Sequence, residues 1–193
     1  MLCKGLMIMS ENTYSSLKKL KSEVIECIKC PLHETRMNAV FGEGDYNANI
    51  LIIGEGPGAN EDKQGRPFVG RGGKLLDEVL SKYGLTRDEG VFIANIVKCR
   101  PPNNRVPKKE EVITCIPYLE KQIQMVSPKI ILLLGLTAVK SFLGIEEQMK
   151  QIRGKENEKD GRTVMATYHP AAILRNPNLR SWFEEDIKKV SQI

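Results

Sequence analysis

The sequence predicts an α/β fold of three layers, in which a four-stranded parallel sheet lies between helices. Four short apolar runs recur along the 193 residues, and each ends at a turn-forming residue. Continuous runs of Ile, Leu and Val of this length are typical of strands buried on both faces. Helical patterns separate the runs, and strands that alternate with helices favour a parallel sheet covered on both sides.

The elements follow one another in this alternating order. Strands are predicted at 49–54, 91–96, 129–135 and 163–168. Helices are predicted at 14–28, 73–83, 108–125, 137–143 and 179–190. The stretch 146–162 is charged and interrupted by glycines, so we expect an exposed loop or hairpin there.

Length and composition limit the classes of protein that the chain can form. With 41% hydrophobic residues, 193 residues are enough for one sizeable core, so we expect a single domain over 1–193 with a loose tail over 1–12. No apolar run approaches the roughly 18 residues of a membrane span, and we expect an intracellular, cytoplasmic protein. The net charge of +5 is compatible with nucleic acid if the basic residues cluster.

Four cysteines have the spacing of metal ligands. Cys27 and Cys30 form a C-x2-C pair, and Cys99 and Cys115 follow far along the chain. A C-x2-C pair places two thiolates on one turn, and four thiolates suit zinc or a 4Fe-4S cluster equally well. Buried, inert cysteines are the alternative. The fifth cysteine, Cys3, lies in the predicted tail and is left out of the set.

The ends of the predicted strands carry the candidate site residues. In an open parallel sheet, ligands bind beyond the carboxyl ends of the strands. A glycine-rich turn, 54–58, follows the first strand, Asn95 ends the second, and His169 follows the fourth. In this turn Gly54 and Gly56 allow the backbone to approach a ligand, and Glu55 lies between them. The sequence therefore predicts one cleft built from distant segments.

Three side chains around this cleft have both a functional and a structural interpretation. Phe68 lies in a loop bracketed by Gly and Pro, where it could stack on a base or anchor the loop in the core. Asn95 must find partners for a buried amide, or cap a backbone. His169 on the constrained turn before Pro170 is placed as a donor or acid, although a lone histidine is often structural.

A rigid basic loop adjoins the third cysteine. Lys98, Arg100 and Arg105 surround two prolines and two asparagines, and Arg175 follows the His169 turn. Such residues suit contacts to DNA phosphates, and a solvated loop would explain the same pattern.

In combination the motifs resemble the family 4 uracil-DNA glycosylases, the thermostable iron-sulfur branch of their superfamily. The resemblance covers most of the chain, from Cys27 to Arg175. The motifs that carry it are Cys27/Cys30, Phe41-Gly42-Glu43-Gly44, Gly54-Glu55-Gly56-Pro57-Gly58 with Glu61-Asp62, Gly65-Arg66-Pro67-Phe68-Val69-Gly70, Asn95-Ile96-Val97-Lys98-Cys99-Arg100-Pro101-Pro102, Cys115, and His169-Pro170-Ala171-Ala172.

The resemblance implies an enzyme that extrudes uracil from DNA and hydrolyses its N-glycosidic bond, leaving an abasic site. It implies that Phe68 stacks on the base, that the Asn95 amide reads uracil, and that His169 bonds the uracil O2. It favours a 4Fe-4S cluster over zinc at the four cysteines. It also implies DNA as the substrate, a monomer that acts with the chromosome, and a sliding clamp as a partner.

The resemblance also assigns the carboxylates. Classical relatives carry a water-positioning aspartate at the place of Gly56, so it implies a largely dissociative reaction in which Glu55 organises the pocket or the water. Glu61 is implied to shape the pocket against the methyl group of thymine. The alternatives are a sister-branch glycosylase for other deaminated bases, a noncatalytic iron-sulfur DNA-binding module, and a zinc-stabilised nucleotide-binding protein.

Overall fold

The computed structural model describes residues 11–193. Residues 1–10, which include Cys3 and most of the predicted tail, lie outside the described residues. Residues 11 and 12 belong to the first helix, so the predicted tail 1–12 is two residues too long. No helix within the described part of the chain combines the length and apolar character that crossing a membrane requires.

The described residues form six strands and eight α-helices. The strands are β1 Glu43–Gly44, β2 Ile50–Gly54, β3 Val91–Asn95, β4 Ile130–Leu134, β5 Glu156–Lys159 and β6 Arg162–Thr167. The helices are α1 Glu11–Ile25, α2 Ala59–Gln64, α3 Arg71–Ser81, α4 Lys109–Val126, α5 Leu136–Leu143, α6 Met149–Ile152, α7 Pro170–Arg175 and α8 Arg180–Gln192. Short 3₁₀ turns lie at Pro31–Glu34, Pro102–Asn104 and Pro177–Leu179.

One sheet joins all six strands in the order β1-β3-β2-β4-β6-β5. The four central strands, β3, β2, β4 and β6, are parallel and are the four that the apolar runs predict. This confirms the predicted fold class, and the sheet is larger than predicted because an antiparallel strand is added at each edge.

The two edge strands lack the signal that reveals the central ones. β1 has only two residues, and β5 reads Glu-Asn-Glu-Lys with no apolar run. β5 forms a hairpin with β6, closed at Asp160 and Gly161, both with positive φ. This is the backbone of a tight hairpin turn. The expected hairpin in 146–162 is therefore present, together with the short helix α6.

The side chains of the central strands alternate between two apolar layers. Leu51 and Ile53 of β2 pack in the cluster that includes residues of α1, α4 and α5. Ile50 and Ile52 of the same strand pack in the cluster with residues of α3, α7 and α8. This alternation is the period of two that a pleated strand imposes. Helices on both faces leave the carboxyl edge of the sheet as the place for an open cleft.

A buried ion pair fixes the end of β6 next to that edge. Arg153 pairs with the Asp186 carboxylate on α8, and the Thr167 hydroxyl donates to Asp186 Oδ2 at 2.6 Å. Asp186 and Thr167 are both fully buried. Because Thr167 ends β6, this network joins α8 to the strand that leads into His169.

Candidate active site

A cavity of about 680 Å³ opens at the carboxyl ends of the central strands. It brings together eight of the predicted site residues, which are Glu55, Gly56, Glu61, Phe68, Asn95, Arg105, His169 and Arg175. Gly54, Lys98 and Arg100 are predicted site residues that do not line it. The segments of the cavity come from separate parts of the chain, as expected for a cleft at this edge of a parallel sheet.

The amide of Asn95 is the most unusual polar group of the cavity. Asn95 ends β3 and is only 2% exposed, and its Oδ1 is the buried side-chain oxygen without a hydrogen-bond partner in residues 11–193. An unpaired buried acceptor costs about 1–3 kcal/mol, so such a group needs an explanation. A bound ligand that donates to this oxygen would supply one.

Gly54 makes room for this amide. A Cβ atom at Gly54 would lie 2.5 Å from Asn95 Oδ1 and 2.6 Å from Phe68 Cζ. Any side chain here would displace both groups. Gly54 thus acts by leaving space behind the cavity wall, although it does not line the cavity itself.

Phe68 is held in a strained backbone conformation. Its φ of 51° lies in the left-handed region, which a bulky residue rarely adopts. The ring is buried, and its centroid lies 5.6 Å from that of the His169 imidazole, tilted by 32°. Strain of this kind costs of order 1–3 kcal/mol and persists only where the surroundings impose the geometry.

Two charged side chains impose that geometry from opposite sides of the loop. Glu61 Oε1 accepts hydrogen bonds from the backbone N–H groups of Val69 and Gly70, both at 2.9 Å. Arg87 donates to the carbonyls of Pro67 and Phe68, both at 2.7 Å. The loop on either side of the aromatic ring is therefore bound to a carboxylate and a guanidinium.

Arg87 is a site residue that the sequence analysis missed. It lies between α3 and β3 in a charged stretch that matches no motif. Its guanidinium is held by Asp77, with Nε 2.9 Å from Asp77 Oδ1. Only the folded chain brings it against Phe68, some twenty residues away, and no periodicity or spacing could have shown this.

His169 is arranged to donate from a fixed nitrogen. It caps α7, and its Nδ1 accepts a hydrogen bond from the backbone N–H of Ala171 at 3.1 Å. The proton of the neutral ring is therefore on Nε2. Burial and, to a smaller extent, the nearby Arg175 guanidinium lower the pKa of His169 from 6.5 to about 4, although the Glu61 carboxylate acts in the opposite direction. His169 is thus a neutral donor at physiological pH.

Glu55 lines the cavity without a partner for its carboxylate in the described part of the chain. Its backbone carbonyl accepts from Val97 N–H at 3.2 Å, which fixes the turn that follows β2. Gly56 next to it packs against Val97, because a Cβ atom there would lie 2.8 Å from Val97 Cγ2. Glu55 therefore supplies the carboxylate of this turn, and that carboxylate is free to bind water.

The predicted phosphate-binding role of Lys98 is wrong. Lys98 is 1% exposed, and its Nζ donates to the Asn95 carbonyl at 2.9 Å and to Gln122 Oε1 at 2.6 Å. Burial lowers its pKa to about 8, so the ammonium is still the main form at neutral pH. The sequence placed Lys98 in a basic loop and could not show that its side chain turns inward.

The other predicted basic residues differ in their freedom to meet DNA. Arg105 forms a two-pronged pair with the buried Glu111, and Arg100 Nε donates to Asn104 Oδ1 at 2.7 Å. Arg105 is therefore held against α4, and Arg100 is held within its own loop. Arg175 lies exposed at the mouth of the cavity, and its guanidinium makes no hydrogen bond within the described residues.

The four predicted ligand cysteines line a second, small cavity between α1, the loop after β3, and α4. Two N–H groups point at sulfur there. Arg36 Nη1 lies 3.0 Å from Cys99 Sγ, and the backbone N–H of Lys98 lies 3.2 Å from Cys115 Sγ. N–H donors aimed at sulfur, with a nearby ammonium, suit thiolate ligands of a metal centre.

Burial stabilises the protonated form of two of these cysteines, Cys99 and Cys115. Burial raises the pKa of Cys99, and it raises the pKa of Cys115 to about 11. Within residues 11–193, no three His, Cys, Asp or Glu side chains are grouped closely enough to hold one metal ion.

The fold and the cavity have the form expected of a uracil-DNA glycosylase, and comparison with known sequences supports the same class. The sequence model of the uracil DNA glycosylase superfamily matches residues 41–190. The chain belongs to this superfamily.

Within the superfamily, the chain is a member of the type-4 family. It is 50% identical over 188 residues to a type-4 uracil-DNA glycosylase of Sulfurisphaera tokodaii, covering 92% of this chain and 84% of the relative. It is 48% identical over 179 residues to a type-4 enzyme of Pyrobaculum aerophilum, covering 89% and 91%. A type-5 uracil-DNA glycosylase of Pyrobaculum aerophilum is 32% identical over 149 residues, covering 69% and 66%.

Replacing Arg87 should free the loop that carries Phe68. Arg87→Met removes two charge-assisted hydrogen bonds, each worth about 1.5–3 kcal/mol. We expect the backbone amides of Val69 and Gly70 to exchange hydrogen at least roughly tenfold faster, since each 1.36 kcal/mol is a factor of ten. Arg66→Met is the matched control. Arg66 and Arg87 both pair with Glu43, but Arg66 is exposed and bonds no carbonyl of the loop. Equal exchange in both variants would contradict the assignment.

His169 should stay neutral well below its ordinary pKa. A pKa lowered from 6.5 to about 4 means that the unfolded chain takes up the proton first. The neutral ring therefore contributes stability that is fully present above pH 6.5 and is lost as the pH falls towards 4. We expect the His169 ring resonances, assigned by their absence in His169→Gln, to stay constant between about pH 8 and 5 in an NMR titration. A midpoint near 6.5 would refute this.

Proposed function

We propose that this protein removes uracil from DNA by hydrolysing the bond between the base and its deoxyribose, leaving an abasic site. The observation that carries the proposal is the unpaired Oδ1 of Asn95, buried in a cavity with Phe68 and His169. Membership of the superfamily and the printed names of its type-4 relatives support the same reaction.

The Asn95 amide matches the edge of uracil. Its Oδ1 would accept from the uracil N3–H, and its Nδ2 would donate to O4. Cytosine presents an acceptor at N3 and a donor at the neighbouring position, so each contact would meet a like group. Each unpaired group costs about 1–3 kcal/mol, which corresponds to roughly a tenfold to hundredfold preference for each contact.

Phe68 supplies the stacking surface for the extruded base. Its ring lies on the same cavity wall as His169 and is fixed by the loop bonds to Glu61 and Arg87. Base–aromatic stacking is worth about 1–3 kcal/mol and does not depend on the identity of the base. Stacking therefore gives affinity, and Asn95 gives selectivity. Glu61 holds the Phe68 loop, and its predicted action against the thymine methyl remains a prediction.

His169 stabilises the leaving base. As the glycosidic bond breaks, negative charge develops on uracil O2, and the Nε2–H of His169 would donate to it. A fixed donor in a site from which water is excluded is worth several kcal/mol at such a position, about 2.7–4 in a measured case. Because the ring is already neutral and oriented by Ala171, no reorganisation is needed at that step.

The carboxylate of Glu55 is the group on the glycine-rich turn that can orient a water molecule or stabilise the sugar cation. Gly56 offers no side chain for this task. We infer a dissociative order of events, in which the bond to the base breaks before water attacks the sugar carbon. The bond to the base breaks first, and its electron pair leaves on uracil, whose negative charge His169 holds. The water oxygen then bonds to the sugar carbon, and the water proton passes to the Glu55 carboxylate, from which it can neutralise the departed uracil anion.

The mouth of the cavity suits DNA. Leu174 and Arg175 are exposed at the end of α7, while the neighbouring Ile173 is buried. Arg175 would contact a phosphate, and Leu174 is the apolar side chain placed to fill the gap left by an extruded base. Arg100 and Arg105 would meet the backbone through a loop that their own partners keep rigid.

The four cysteines, Cys27, Cys30, Cys99 and Cys115, would hold a 4Fe-4S cluster. Their thiolates, with N–H groups from Arg36 and Lys98 aimed at sulfur, have the donor chemistry that such a cluster needs. When bound, the cluster would crosslink the segment after α1, the loop after β3, and α4. We propose a structural and DNA-positioning role, because Cys99 fixes the start of the basic loop.

A sliding-clamp partner, a monomeric state and location with the chromosome remain predictions.

The function is tested by single-turnover cleavage of labelled oligonucleotides, each with one uracil, thymine, cytosine or another deaminated base, followed by alkali. We expect cleavage at uracil and none at thymine. Asn95→Ala should lower the single-turnover rate on uracil by about tenfold to a thousandfold through its lost contacts. Asn157→Ala, on the distant edge strand β5, is the matched control and should cleave as the native chain does. A preference for another base would instead favour the sister-branch reaction, and no cleavage of any base would favour a noncatalytic binding module.

The cluster is tested by iron, acid-labile sulfide and zinc analysis together with visible absorption. We expect iron and sulfide in equal amounts and little zinc. Cys99→Ala should lose the visible absorption and lower the stability or the DNA affinity, whereas Cys3→Ala should retain all three. Stoichiometric zinc without sulfide would refute the cluster.

A further inference from the structure

Lys98 is a fully buried ammonium without a carboxylate partner in the described residues. It is 1% exposed, and its Nζ bonds only neutral oxygens, the Asn95 carbonyl and Gln122 Oε1. Burying an unpaired charge costs several kcal/mol after relaxation. A methionine of similar length would avoid this cost, so the charge needs a reason in its surroundings.

The reason lies in the small cavity of the four cysteines, which Lys98 also lines. The backbone N–H of Lys98 donates to Cys115 Sγ at 3.2 Å, and the next residue is Cys99. Its carbonyl accepts from Val40 N–H at 2.7 Å. One residue thus contacts the cysteine centre through its backbone and the base-reading residue Asn95 through its side chain.

Gln122 completes the link on α4. It is fully buried, and its Nε2 donates to the Phe41 carbonyl at 2.8 Å while its Oε1 holds the ammonium. Gln122 lies seven residues after Cys115 on the same helix, which puts both side chains on one face. The cysteine and the acceptor that orients Lys98 therefore move as one body.

We propose that Lys98 is a positioning residue that couples the four-cysteine centre to Asn95. Its ammonium balances the negative charge of the thiolate ligands. Its hydrogen bond fixes the backbone carbonyl of Asn95, so that the side-chain amide of Asn95 faces the base. This inference rests on the proposed function and adds a route by which the metal centre affects base recognition without touching the base.

The coupling has two separable parts, a charge and a donor. Removal of the positive charge next to a cluster disfavours its more negative, reduced form and lowers the reduction potential. Removal of the donor frees the backbone carbonyl of Asn95, and the side-chain amide of Asn95 then loses its fixed orientation. Lys98→Met removes both parts, and Lys98→Gln removes the charge but keeps a neutral N–H donor.

The test measures free-uracil affinity by NMR titration, cluster potential by redox titration, and unfolding free energy by denaturant, all on cluster-loaded protein. We expect Lys98→Met to bind free uracil at least roughly tenfold more weakly, as the loss of a charge-assisted hydrogen bond predicts, and to have a lower cluster potential. Lys98→Gln should keep uracil affinity within about threefold and show the lowered potential alone. Lys29→Met is the matched control, since Lys29 lies exposed between two of the cysteines, over the Tyr118 ring, and this variant should keep the native uracil affinity.

The outcomes separate this inference from the proposed function. If the native protein cleaves uracil and Lys98→Met keeps native uracil affinity and potential, the coupling is wrong and the function stands. A loss of stability alone, with native affinity and potential, shows a purely structural lysine and also overturns it. If Lys98→Met does not fold, Lys98→Gln decides, since a native potential in that variant refutes the charge role. If the native protein cleaves no uracil, the proposed function itself fails.

Discussion

The cavity is organised around one unpaired oxygen, Oδ1 of Asn95, buried at the end of a central strand. Keeping a buried acceptor without a donor costs about 1–3 kcal/mol, and the surrounding residues are arranged to maintain it. Gly54 leaves the space, Phe68 covers it, and Lys98 holds the backbone of Asn95 from behind. A ligand that supplies the missing donor recovers this cost, so the folded chain is prepared for one kind of hydrogen-bonding edge.

Rigidity around this oxygen comes from charges that bind the backbone. Glu61 and Arg87 hold opposite sides of the Phe68 loop, and Glu111 holds Arg105 in the basic loop. The Glu61, Arg87 and Glu111 side chains are therefore engaged in holding these loops. Arg175, which has no hydrogen-bond partner in the described residues, is the cation left at the cavity mouth for an external anion.

The two cavities are separate, but the chain between Asn95 and Cys99 joins them. This short segment leaves the sheet, turns Lys98 inward and delivers Cys99 to the cysteine centre. The four cysteines come from the segment after α1, the loop after β3, and α4, so a bound metal centre would tie three segments that the sheet alone does not connect. The proposed metal centre would stabilise the loop that follows and, through Lys98, the wall of the cavity that contains Asn95.

The four central strands could be predicted from the sequence because continuous Ile, Leu and Val runs are buried on both faces and need no partner to be recognised. The convergence of Glu55, Asn95 and His169 followed from the same prediction, since parallel strands end at one edge. The edge strands could not be predicted in this way, because β1 is two residues long and β5 is polar. Their pairing depends on a neighbouring strand and not on their own composition.

The sequence by itself determined the order of the central elements, the set of cysteines and the residues that meet in the cavity, because local patterns and strand direction specify them. Only the tertiary structure decided the direction of each charged side chain. Lys98 turned inward, Arg87 reached a loop that it does not adjoin, and Glu61 bound backbone N–H groups. The physical reason is that a long charged side chain can be solvated or buried at similar local cost, and its partner is set by contacts between residues far apart in the chain.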